Sequence, residues 1–225
     1  MSLQLITTED GSSSLFNAQL NETYHSVHGA VAESRHVFIK EGLQFYIDKH
    51  QPTEIRIFEV GLGTGLNAYL TALFAKVNPS LSVVYHSIDT VVMPNEVLAD
   101  INYPEILGAD RELFEKLHLC PTDTTIELLP NFVFKKVVSD INRYNPDMGF
   151  DIIYFDAFAP DKQPDMWQLP LFEKLYAALS VNGIMVTYCA QGQFRRNLKA
   201  LGYTVEKVTG PPPKREMTRV TKPLA

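Results

Sequence analysis

Residues 55–77 read IRIFEVGLGTGLNAYLTALFAKV, and their order decides the fold. Ile55 to Val60 form a short run rich in β-branched and aromatic residues, the composition of a strand. Glycines follow at 61, 63 and 65, and then come twelve residues of helix-forming character. A strand, a glycine turn and a helix in that order open a parallel α/β sheet with a ligand site at the turn. The dinucleotide fingerprint would place its third glycine at position 66, where this chain has Leu66. Glu59 also stands two residues before the first glycine, and a pyrophosphate prefers backbone N–H groups and a helix dipole to a nearby acid. A cationic ligand with a free amino group suits that acid better.

The same alternation continues along the chain. LSVVYHSID, ending at Asp89, reads as the second strand, FVFKKVVSD as the third, DIIYF as the fourth and GIMVTYC as the fifth. The segment NEVLADINYPEILGADRELFEKLH is helical and broken around Pro104, because proline cannot donate to the helix ladder. LPLFEKLYAALS and GQFRRNLKALG are helices, the latter stopped by Gly202. YTVEKVT and REMTRVT close the sheet as a pair across GPPPK, for which the tandem prolines predict an exposed connection. These elements give an α/β fold with a mostly parallel, seven-stranded sheet over residues 51–225. The first 50 residues form an N-terminal extension that packs on one end of it.

At 225 residues and 45% hydrophobic, the chain suffices for one α/β domain of this size. No apolar run reaches a membrane span, and the polar N-terminus lacks a signal pattern, so the expected location is the cytoplasm. The net charge of −6 hides an asymmetry. Residues 191–225 carry an excess of six positive charges and the first 190 an excess of twelve negative ones. A basic segment on an acidic body is a nucleic-acid footprint or a solvated face.

Ligands of open parallel sheets bind beyond the carboxyl ends of the strands. Those ends carry Glu59, Asp89, Asp140 and Asp156, and four carboxylates in register exceed what helix caps explain. S-adenosylmethionine, with a sulfonium and an α-amino group, matches such a ring. Asp89 is placed to accept both ribose hydroxyls and Asp140 the adenine amino group. Asp156 is then the general base: methyl transfer to an amine needs a neutral nucleophile, and a carboxylate takes its proton. In the loop FDAFAPDKQPDMW, Pro160 and Pro164 stiffen the backbone and Phe158 and Trp167 wall the pocket or stack on a base, although core packing of the loop is the stronger reading for Trp167 and Met166.

DAFAPDKQPDMW resembles the Asp-Gly-Phe-Ala-Pro-x-x-Asn-Pro-Asp-Met-Trp signature of the methyltransferase half of the MnmC family, which makes 5-methylaminomethyl-2-thiouridine at the tRNA wobble position. ETYHSVHGAVAESRHVF, EVGLGTGLNAYL, SDIN, GQFRRNLKALGY and KREM extend the likeness over most of the chain. The resemblance implies a class I, Rossmann-like S-adenosylmethionine-dependent methyltransferase that N-methylates 5-aminomethyl-(2-thio)uridine in tRNA. It implies cofactor contacts at Glu59, Gly61, Gly63, Gly65, Asp89 and Asp140, and Asp156 beside the transferred methyl. For the substrate, Phe158 and the basic residues Arg195, Arg196, Lys214 and Arg215 are the candidates, within a docking segment from Arg195 to Lys222. Ala157 stands where the family has Gly, and GPPPKREM replaces a Gly-rich approach to the same Lys-Arg-Glu-Met. The flavin-dependent oxidoreductase domain of the bifunctional proteins does not follow here, so the aminomethyl group is expected either from a separate such enzyme or from another route in the cell.

A small-molecule N- or O-methyltransferase and a non-catalytic S-adenosylmethionine-binding module are the alternatives. His25, His28 and His36 have no Cys or closely spaced acid beside them and read as ordinary polar or core histidines rather than metal ligands. Cys120 and Cys189 form no CxxC pattern, and Cys189 reads as a small buried residue rather than a nucleophile.

Overall fold

Apolar runs separated by glycine turns and helices build one large sheet in the computed structural model, which describes residues 3–146 and 149–224. Three short strands come first, β1 (Leu3–Thr7), β2 (Ser13–Asn17) and β3 (Glu22–Thr23), paired antiparallel in a small sheet of their own. An unbroken helical stretch follows: α1 (Ala30–Ser34), a π-wound segment (Arg35–Gln44) and α2 (Phe45–His50). Then come β4 (Glu54–Val60), α3 (Leu66–Val77), β5 (Ser82–Asp89), α4 (Asn95–Ala99), α5 (Tyr103–Leu107) and α6 (Arg111–Leu119). The chain continues through β6 (Thr125–Leu129), β7 (Phe132–Val138), β8 (Phe150–Phe155), α7 (Leu169–Ala178) and β9 (Leu179–Thr187). It closes with α8 (Gly192–Ala200), β10 (Thr204–Thr209) and β11 (Glu216–Thr221).

The large sheet has the order β10-β11-β9-β8-β4-β5-β7-β6. Its five central strands, from β9 to β7, are parallel, and antiparallel strands flank them on both edges. The strand missing from the sequence reading is β6, which makes the sheet eight-stranded rather than seven-stranded. It is short and nowhere fully buried, so it lacks the alternation that betrays a strand. The chain runs outward from β4 through β5 to β7 and then returns to β8 on the other side of β4. The switch point between β4 and β8 is where an open α/β sheet binds its ligand.

Period-2 alternation sorts the strand residues into two layers. Ile152 and Tyr154 pack on one face with Ile55, Ile57 and Tyr85, while Ile153 and Phe155 pack on the other with Phe58, Val60 and Phe172. The helix from Ala30 to His50 lies against the first face. Gly42 permits this approach, since a Cβ there would stand 3.1 Å from Val186 Cγ2 and 3.2 Å from Tyr154 Cε1. Arg219 ties the helix to β11, with its guanidinium 3.4 Å from the Phe45 ring centroid and Nη1 3.0 Å from Glu41 Oε2.

Two local expectations change. Pro104 does not break a helix but lies in the first turn of α5, where its missing N–H has no carbonyl to meet. The breaks come instead at Asp100–Asn102 and at Gly108, which adopts a left-handed φ of +59°. The GPPPK connection is only partly exposed, because Gly210 and Pro211 are buried. Gly202 does end α8, with φ +96°. Among the described residues, no helix is long and apolar enough to cross a membrane.

Candidate active site

Strand register brings the tips together. Val60 pairs with Ile88 on one side and with Phe155 on the other, so Gly61, Asp89 and Asp156 all leave the sheet at one level. A cavity of about 760 Å³ opens above them. Gly61, Gly63, Asp89 and Asp156 line its floor, Phe158 and Met166 one wall, and residues 16–17 and 19–27 of the N-terminal segment another.

The turn after β4 is shaped by close approach. Gly61 has φ +94°, and a Cβ there would come 2.5 Å from the Asp156 carbonyl oxygen. The Gly63 N–H donates to Asp89 Oδ2 at 2.9 Å, and the N–H of Thr90 donates to Asp89 Oδ1 at 2.7 Å. Burial raises the Asp89 carboxyl above its ordinary pKa against these donors. Gly65 serves packing instead: it faces away from the cavity, where a Cβ would meet His118 Nε2 at 2.6 Å.

Glu59 lies outside the cavity lining. Alternation after Ile55 and Ile57 turns its side chain into the sheet face, where it is 0% exposed. Burial, and then the neighbouring Asp156, push its carboxyl well above the ordinary carboxylate range. Asn67 connects the two acids, its Nδ2 lying 3.0 Å from Glu59 Oε1 and 2.8 Å from Asp156 Oδ2. Asp156 is raised to about 7, chiefly by burial, with the Asn67 amide opposing the rise. Nearby Glu33 adds to the rise and Lys214 counters it.

Asp140 is also off the lining. Its carboxylate accepts from the Asn142 N–H at 2.9 Å, capping the turn after β7, while its neighbours Ser139 and Ile141 reach the cavity. Phe158 meets Tyr24 edge-on at 4.9 Å between centroids. Trp167 packs between Phe155 and Phe194, and its Nε1 donates to the Phe158 carbonyl at 2.8 Å, which fixes the loop.

The basic candidates separate into two kinds. Arg195 is 6% exposed and its guanidinium donates to Glu216 at 2.6 Å, Thr218 Oγ1 at 2.9 Å and the Met217 carbonyl at 2.9 Å. It holds α8 to β11 and has no free face for a phosphate, contrary to expectation. Lys222 caps the carbonyls of Tyr176 and Leu179, at the end of α7. Arg196 and Arg215 are exposed, and Lys214 lines the cavity itself.

The three histidines go to different partners: His25 to Thr64 Oγ1 at 2.8 Å, His28 to Glu9 Oε1 at 3.0 Å and His36 to the Thr209 carbonyl at 2.7 Å. The Cys189 thiol is buried and raised above its ordinary pKa, the wrong direction for a nucleophile.

A family model described as S-adenosyl-L-methionine-dependent methyltransferase matches residues 105–223, more than half of the chain. The chain belongs to this family. Among curated relatives, a tRNA 5-methylaminomethyl-2-thiouridine biosynthesis bifunctional protein MnmC from Marinomonas sp. is 30% identical over 212 residues, covering 89% of this chain and 31% of the relative. The protein of the same name from Actinobacillus pleuropneumoniae serotype 5b is 29% identical over 230 residues, covering 91% and 33%. The methyltransferase therefore spans about a third of the length of the curated relatives it matches. The crystal structure of MNMC2 from Aquifex aeolicus superimposes with a TM-score of 0.79 at 24% identity, covering 100% of this chain and 73% of that one, and shares its fold.

The methyltransferase's floor fits S-adenosylmethionine on its own chemistry. The glycine cradle has no room for side chains, Asp89 offers acceptors for hydroxyls, and Lys214 is the one Lys or Arg among the described lining residues. A sulfonium and an amino group meet carboxylates there rather than like charge. The sequence reading left Asn67, Tyr24, Tyr188 and Glu33 without roles. Asn67 had a signal, since it follows the glycine loop at the start of α3. The others are brought in by long-range packing that no local pattern announces.

Proposed function

We propose that this enzyme N-methylates 5-aminomethyl-(2-thio)uridine at the tRNA wobble position, giving 5-methylaminomethyl-(2-thio)uridine. The observation that carries the reading is Asp156, a carboxyl held near a pKa of about 7 at the cavity floor by burial. The names of the curated relatives support the choice of acceptor.

When bound, S-adenosylmethionine supplies a methyl group on a sulfonium, and Gly61, Gly63 and Asp89 are the residues that would hold it. Asp156 receives the acceptor's ammonium and takes one proton from it, leaving the nitrogen lone pair free as nucleophile. A base with a pKa near the working pH contributes typically 10² to 10⁴ in rate. Asn67 keeps the Asp156 oxygen directed through the same amide nitrogen that reaches Glu59. Phe158 and Tyr24 present aromatic faces to the extruded base, and the rigid 156–167 loop excludes water behind it.

Docking of the tRNA backbone falls to Arg196, Lys199 and Arg215, which are exposed, while the acidic remainder of the chain repels phosphates elsewhere. The residues 1–50 extension supplies a cavity wall. A flavin-dependent oxidoreductase activity that trims carboxymethylaminomethyl to aminomethyl is the partner this reading calls for, and the cytoplasm is its place. Nucleoside analysis of tRNA from a deletion strain tests it: the aminomethyl nucleoside should accumulate and the methylaminomethyl one vanish. Unchanged tRNA nucleosides would overturn it.

A further inference from the structure

Glu33 and Lys214 meet inside the cavity from opposite ends of the chain, 181 positions apart. Lys214 Nζ lies 2.8 Å from Glu33 Oε2 and 4.3 Å from the centroid of the Tyr188 ring. The Tyr188 hydroxyl donates to the Ala157 carbonyl at 2.8 Å, which fixes that ring beside Asp156. The molecule thus seats a primary alkylammonium in a cage of one carboxylate and one aromatic face, the combination that recognises ammonium ions generally. The seated ammonium belongs to the chain's own Lys214, carried on a flexible four-carbon stem in the turn before β11.

Glu33 is 8% exposed, and a carboxylate so placed is costly without a partner. Lys214 meets that need while no acceptor is present. An arriving alkylammonium would replace one cation by another, so Glu33 stays paired as the acceptor docks, before Asp156 takes the proton that frees the nitrogen lone pair. We infer that the Glu33–Tyr188 cage is the subsite for the acceptor's primary alkylamine, and that Lys214 is a resident occupant which the acceptor displaces. Displacement leaves the lysine free beside the exposed Arg215, on the side where phosphates would lie. The charged and titratable groups facing the cage are Glu22 from β3, Glu33 from α1, Asp156 after β8, Tyr188 and Cys189 after β9, and Lys214 itself. The inference rests on the reading of an aminomethyl acceptor, but its test does not need tRNA.

The probe is n-propylammonium, titrated at neutral pH and followed by saturation-transfer NMR, with S-adenosylmethionine affinity measured on each variant as a check of folding. Glu33→Gln and Tyr188→Leu should each weaken probe binding by about tenfold or more, the size expected for a charge-assisted or cation–π interaction. Tyr188→Phe should retain most of it. Lys214→Met should tighten probe binding, because the internal competitor is gone. If Lys214→Met is too unstable to assay, Lys214→Gln serves the same comparison. Unchanged binding in Glu33→Gln, or weaker binding when Lys214 is removed, overturns the inference. A protein that binds the probe in this pattern but leaves tRNA unmethylated would keep the cage and reject the acceptor assigned above.

Discussion

The side-chain nitrogen of Asn67 lies 2.8 Å from Asp156 Oδ2, and this hydrogen bond favours the charged form of the carboxyl. Asn67→Leu removes it at nearly constant volume. The Asp156 pKa then rises above about 7, so the acid limb of kcat/KM should move to higher pH, by about one unit for a bond worth about 1.4 kcal/mol. A pH–rate profile with the wild-type midpoint would show that Asn67 does not govern this carboxyl.

Asp156→Asn should keep the fold and lose most turnover, since an amide cannot take the proton. Its effect on stability has a definite sign. The folded pKa is raised from 3.8 to about 7, so the protonated acid favours the folded state. That contribution is fully present below about pH 4 and is lost as pH rises through about 7. Above pH 7 the variant should therefore be more stable than the wild type, by about 1 to 2 kcal/mol once solvent reaching the cavity is allowed for. Urea titrations at about pH 5 and about pH 8.5 check it, and a difference that does not grow with pH would contradict the burial argument.

Asp89→Ala should weaken S-adenosylmethionine binding by more than about 1 kcal/mol, since it removes acceptors from the floor and releases the Gly63 N–H. Calorimetry reads this directly, and unaltered affinity would move the cofactor away from β5. Gly65→Ala should act differently. Its clash is with His118, so it should lower Tm more than it changes affinity in whatever protein remains folded.

Arg195 and Arg196 are adjacent in sequence and should part in experiment. Arg195→Ala strips a largely buried guanidinium from Glu216, Thr218 and Met217 and should cost about 2 to 4 kcal/mol of stability. Arg196→Ala with Arg215→Ala should leave Tm nearly unchanged, raise the tRNA KM and flatten its salt dependence, by about 0.7 log units per log salt for each phosphate left without its arginine. Equal thermal loss in both cases would mean that burial does not separate them.

The same pair shows why only part of the site is legible in sequence. Gly61, Gly63, Asp89 and Asp156 could be read because each follows a strand whose end is marked by its own composition, and parallel pairing then aligns them. Glu59 belongs to the same motif, yet its alternation with Ile55 and Ile57 turns it inward. Its formal charge therefore says little about the ligand. Counting charges along residues 191–225 likewise merged cations that face solvent with Arg195 and Arg219, whose guanidinium groups are buried against carboxylates and carbonyls. Tyr24, Glu33 and Lys214 converge from segments nearly 200 residues apart, and only tertiary packing brings them to one cavity.

Purified protein, labelled S-adenosylmethionine and tRNA carrying 5-aminomethyl-(2-thio)uridine, followed by nucleoside mass spectrometry, decide whether the wobble aminomethyl group is the acceptor. If that group is the acceptor and Asp156 its base, label appears on 5-methylaminomethyl-(2-thio)uridine, depends on the aminomethyl group and is nearly abolished by Asp156→Asn. Intact cofactor binding with no label in that nucleoside, or label carried undiminished by Asp156→Asn, would contradict it.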